Sequence, residues 1–158
     1  MIGEENREHF LQARRAIARG LGIGAYSYYR RIVENAKFKL VSSVLEIAQA
    51  THASEGQIEL LRKARMENQF SKAIVMLGDV SAIPAVFLID GQNPLALLHD
   101  LLSEGIHALS DKECLSRAQE AEVILCGIAH RMQIALTERK AEKEALSSIM
   151  ARKNAKGG

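Results

Sequence analysis

The stretch Leu101 to Leu115, LLSEGIHALSDKECL, sets a single imidazole, His107, between a glycine and the start of a long helical pattern. A histidine there can act as a general acid or base, while the unpaired N–H groups at the adjoining helix N-terminus favour a phosphate. That pairing suits RNA cleavage and makes His107 the candidate catalytic residue. The same ring can instead close the turn by bonding Gly105 or a backbone carbonyl, and the sequence leaves both roles open.

A second cluster, AYSYYRR at residues 25–31, interleaves aromatic and basic side chains. Tyrosine can stack on an unpaired base and arginine can hold phosphate, so Tyr28, Arg30 and Arg31 are the candidate ligand-binding residues. Tyr26 and Tyr29 instead fall on the apolar stripe of a helix. Arg30 has Glu34 one turn later, in the less favourable order for an exposed pair, worth only about 0.3 kcal/mol.

Other chemistries are poorly supported. Asp100, Glu104 and His107 stand at i, i+4 and i+7, but Gly105 interrupts the helix that would align them, so no metal site is expected. No cofactor is implied either. Cys114 and Cys126 lie on one helix, about 18 Å apart at 1.5 Å per residue, and cannot bridge within a chain. Cys114 occupies an apolar position and, buried, would be inert. His9 and His52 are expected at the surface, and His130 is a candidate dimer contact.

The elements that must position these groups are helices. Phe10, Ala13, Ile17 and Leu21 recur at helical spacing and predict a first helix over 4–20, with Gly20, Gly22 and Gly24 ending or bending it. Tyr26, Tyr29, Val33, Ala36, Leu40, Val44 and Ile47 carry a second helix from Ala25 to Ala50, the candidate central packing element. Ser54 is placed to cap a third, more exposed helix, and SKAIVMLGDV reads as a short buried fourth. The segment SAIPAVFLIDGQNP resembles a strand over Val86–Ile89, but Pro84 and the lack of a partner strand favour a short helix or linker. Asn93 before Pro94 starts a helix to about Glu104. Ser110 and Glu113 then form a capping box opening a last helix at Asp111, whose inner face carries Cys114, Ala118, Ala121, Leu125, Ile128, Met132 and Leu136. Its continuation over 138–158 is charged and is expected to project, pair with another subunit or fray.

With 158 residues, 2 prolines, no tryptophan and 25% charged side chains, the chain reads as one helical domain spanning 1–158. A net charge of +2 permits nucleic acid without demanding it. Free thiols, an acidic polar N-terminal stretch and the lack of an apolar run of about 20 residues lead to the expectation of a cytoplasmic protein without membrane association.

The segments GAYSYYRRIVE and NPLALLHDLLSEGIHALSDKECL, taken over roughly residues 8–136, resemble the HEPN superfamily of helical domains, closest to bacterial branches of unknown function. The resemblance implies an all-α up-and-down bundle, a homodimer whose interface uses the last two helices and the His107 loop, and an RNA or nucleotide ligand. Active family members place an arginine four to six residues before the histidine and join two such motifs into a metal-independent nuclease site. His107 matches the histidine, but Leu101, Leu102 and Ser103 occupy that window. Without that cation the mechanism loses its main electrostatic stabilisation, worth several kcal/mol (about 3) in comparable sites. The expectation is therefore a non-catalytic or weakly catalytic RNA- or nucleotide-binding module, in a setting such as bacterial defence or stress response. A dimeric endoribonuclease using His107, with Arg30 or Arg31 holding phosphate, and a helical dimerisation adaptor are the alternatives.

Overall fold

The computed structural model describes residues 3–78 and 83–158. Six α-helices follow in order: α1 Glu4–Ala18, α2 Gly22–Ala50, α3 Glu55–Met66, α4 Phe70–Met76, α5 Pro94–Leu102 and α6 Asp111–Lys156. Among the described residues, two 3-10 turns, Ala85–Phe87 and Ile106–Ala108, lead into and out of α5. The architecture is all-α, with no strand among the described residues. The stretch expected to form a short helix or linker around Val86–Ile89 holds the first 3-10 turn and one isolated bridge, Ile89 to Gln92, closed by Asp90 and Gly91 at φ 46° and 76°. Ser81 and Ala82, which open that stretch, and Asp79 and Val80, which close the one read as the fourth helix, lie outside the described residues.

Apolar spacing decides which face of each helix turns inward. Helix α2 buries Tyr26, Tyr29, Ile32, Val33, Ala36, Leu40, Val44 and Ile47, so α1, α3 and α6 all pack around it. α1 folds back on α2 as a hairpin: Asn35 donates its Nδ2–H to Asn6 Oδ1 at 3.1 Å, and Gly24 lies against Ala16. α6 instead runs parallel to α2, with Gly22 beside Asp111 at one end and Arg139 donating to the Glu46 carbonyl at 2.7 Å near the other. Cys114, Ala118, Ala121, Leu125, Ile128 and Met132 are its buried face. Small side chains at 118 and 121 let the two helices approach closely.

The glycine-rich connection after α1 is tighter than its composition implies. Gly20 at φ 69° ends α1, with its own N–H on the Ile17 carbonyl and the Leu21 N–H on Ala16. Gly22 and Gly24, read from sequence as breakers, belong to the first turn of α2, so that helix starts three residues before Ala25 and α1 stops at Ala18. The reason is contact. A Cβ on Gly22 would stand 1.9 Å from the Asp111 carbonyl oxygen and 2.6 Å from the Leu115 nitrogen, both backbone. α2 ends in the same manner with His52 at φ 54°, its neighbour Ala53 donating to Ala48. A left-handed conformation at the helix end therefore explains His52 without any chemistry.

Two other boundaries follow capping chemistry. Asn93, buried, accepts from the Leu95 N–H at 3.0 Å and donates to the Leu77 carbonyl at 2.9 Å, which latches the start of α5 to the end of α4. α5 stops at Leu102, short of Glu104, and Gly105 opens the next turn instead of ending the helix. α4 is less buried than its sequence implies: Ala73 and Ile74 face inward, whereas Val75 is 78% exposed.

Gly22→Ala is expected to cost about 3 kcal/mol or more, because backbone atoms on α6 cannot move aside as a side chain would. Gly24→Ala, whose nearest neighbour would be 3.7 Å away, should be neutral or stabilising by up to about 1 kcal/mol. Asn93→Ala should cost about 2 kcal/mol through the lost cap and the orphaned Leu77 carbonyl. Urea denaturation followed by circular dichroism measures all three.

Candidate functional site

The parallel packing of α2 on α6 leaves the opposite flank of α2 to face α4 and the end of α5. Between them lies a groove of about 440 Å³, lined by Arg30, Val33, Glu34 and Lys37 from α2, Asn68 to Ser71 at the start of α4, and His99, Leu102 and Ser103. Positions 30, 33, 34 and 37 share one face of a helix, which is why α2 supplies a continuous wall. Val33 and Leu102 are buried and Phe70 half-buried, giving an apolar floor below a polar rim.

The cations on the rim are held but not used up. Arg30 donates its Nε–H to Glu34 Oε1 at 3.2 Å, which leaves the terminal guanidinium nitrogens free. Lys37 donates one N–H to the Asn68 carbonyl and retains two more donors. On the far wall the His99 ring lies 6.1 Å from Phe70, inclined at 52°, and its Nδ1 is 3.5 Å from Asp100 Oδ1. Two aromatic faces and two cations therefore border a space suited to one flat heterocycle with an anionic substituent. Among the described residues neither Ser71 nor Ser103 hydrogen-bonds His99, so the groove contains no serine activated by an adjacent base.

Of the four residues singled out from sequence, Arg30 alone lines this groove. Arg31 is exposed on α2, and Tyr28 is half-buried with its ring 6.0 Å from His9. His9, expected at the surface, is half-buried and its Nδ1 has no partner. Lys37 and His99 were missed. Lys37 was legible as Arg30 plus two helical turns; His99 required knowing which way α5 leans.

His107 sits exposed in the 3-10 turn Ile106–Ala108, and it lines none of the described grooves. Its ring makes no hydrogen bond or ion pair among the described residues, so it does not close the turn either. Other groups do that. Tyr26 donates its phenol O–H to the Glu104 carbonyl at 2.8 Å, and Arg117 Nη2 meets Glu104 Oε2 at 3.0 Å. The capping box closes the far side: the Ser110 N–H donates to Glu113 Oε2 at 2.7 Å and the Glu113 N–H to Ser110 Oγ at 3.1 Å. Arg117, from α6, is thus the guanidinium tied into the His107 loop, and it follows the histidine in sequence. Asp100 lies on α5 and Glu104 beyond its end, so the metal-like spacing has no helix to carry it.

Burial pushes the Cys114 thiol up, reinforced by the Asp111 and Glu113 carboxylates, in keeping with an unreactive side chain. Burial also raises the Tyr26 phenol, so it stays a donor. No protein-family model, curated protein or solved structure matches this chain. What fold and site define is therefore a class: a helical bundle with one cation-rimmed, aromatic-walled groove.

Hydrogen bonds from the Ser110 backbone and hydroxyl hold the Glu113 carboxyl below its ordinary value. A depressed folded value means that its stabilisation is present above the unfolded carboxylate range and is lost as pH falls through the folded value. Thermal melts of wild type and Glu113→Gln should run parallel near pH 7 and converge in the acid limb, where the wild type alone loses this contribution.

Proposed function

We propose that this chain is a HEPN-like, non-catalytic module that binds a nucleotide, free or as one unit of RNA, in the groove between α2, α4 and α5. The observation that carries this reading is the placement of Arg30 and Lys37, each with unused donors, on one rim of a 440 Å³ space walled by Phe70 and His99. The phosphate lies against the two cations and the base against the rings. The sequence likeness to HEPN domains, many of which handle RNA or nucleotides, supports the same ligand class. So does the modest net charge, which suits a single anionic group better than a long polyanion.

The nuclease alternative needs His107 beside a cation in a cleft. The exposed, unpartnered ring offers no such cleft within one chain, so the groove is the better supported site.

Titrating the protein with a fluorescent adenosine or guanosine monophosphate and with a short single-stranded RNA tests the proposal. Arg30→Ala and Lys37→Ala should each weaken binding about tenfold, from the loss of one charge-assisted hydrogen bond. His107→Ala should leave affinity unchanged. No saturable binding at low salt, or binding indifferent to both groove substitutions, would overturn the assignment. RNA cleavage in EDTA that disappears in His107→Ala would establish the nuclease instead.

A further inference from the structure

Beyond Arg139, which reaches the Glu46 carbonyl, every residue of α6 is exposed, yet the helix continues without interruption to Lys156. About 17 residues at 1.5 Å each make roughly 25 Å of helix with no core behind it. Isolated helices of this length are marginal in water and draw most of their stability from burying an apolar face. Such a face is present: Leu146, Ile149 and Met150 are 60%, 44% and 47% exposed and cluster at helical spacing. Around them stand charges that their own helix does not neutralise. Among the described residues, Glu138, Glu142, Arg152 and Lys153 make no ion pair or hydrogen bond.

The order of these residues identifies what covers the face. Glu142, Leu146, Ile149 and Lys153 are spaced 4, 3 and 4 residues apart, a pattern that reads the same in both directions. Laid antiparallel on a second copy about a centre between Ser147 and Ser148, Leu146 falls opposite Ile149 and Glu142 opposite Lys153, twice over by symmetry. A parallel arrangement would instead stack Glu142 on Glu142 and Lys153 on Lys153, like charges at close range.

We infer that this chain self-associates through the projecting end of α6, as an antiparallel pair of helices centred on Leu146 and Ile149. The interface is distinct from the groove and leaves it open in both copies. With three large apolar side chains per copy it is a small interface, so the dimer is concentration-dependent.

Light scattering of the full chain over graded concentrations tests the inference. The wild type should approach twice the monomer mass as concentration rises, and Leu146→Glu combined with Ile149→Glu should shift the midpoint at least about tenfold. Both positions are exposed, so the bundle's thermal transition should stay in place. Glu142→Lys should weaken association, and adding Lys153→Glu in the same chain should restore it; a parallel pair would respond to neither change. A monomer at every concentration would overturn the inference. So would a dimer unaffected by the 146 and 149 substitutions, or a monomer whose tail binds anionic phosphatidylserine vesicles in place of a second copy.

Discussion

The close approach of α2 and α6 at their N-termini governs the rest of the fold. Gly22 leaves no space between the two backbones, and the Ile23 N–H donates to Asp111 Oδ1 at 2.9 Å, so the first turn of one helix is capped by the first residue of the other. Two positive helix ends lie side by side here, an arrangement that parallel packing makes electrostatically unfavourable. The Asp111 and Glu113 carboxylates offset it, one across the junction and one within its own helix. Once this register is set, the buried faces of both helices interlock along their length. The remaining flank of α2 is then presented to α4 and α5.

The groove is a by-product of that arrangement, stiffened by two local devices. Asn93 joins the start of α5 to the end of α4, fixing the wall that carries Phe70 relative to the one that carries His99. Glu34 and the Asn68 carbonyl hold Arg30 and Lys37 in place before any ligand arrives. Ordering long cationic side chains in advance lowers the entropy lost on binding, although the Glu34 carboxylate also competes for the guanidinium. The geometry favours selectivity for shape over strong attraction.

Much of this architecture was legible in the sequence. The core stripe of α2, the cap at Ser54, the capping box at Ser110, the Asn93–Pro94 start and the inner face of α6 all follow from local spacing, and the structure shows each of them. The misreadings arose where distant contacts decide. Gly22 looks like a breaker until Asp111 is known to lie against it. The site was harder: Arg30 was found because it sits in a conspicuous basic and aromatic run, whereas His99 joins it only through the tilt of α5, which no spacing encodes. His107 was conspicuous because it flanks a helix start, but the caps around it leave the ring without a partner.

The parallel course of α2 and α6 has one more consequence. Since both helices begin at the same level and α6 has 46 residues against 29, all of the surplus length must emerge at a single pole of the molecule. No proline interrupts α6, so this overhang behaves as a stiff mast and not as a tether. Whatever its tip grips is therefore held away from the opposite pole, where the His107 loop lies.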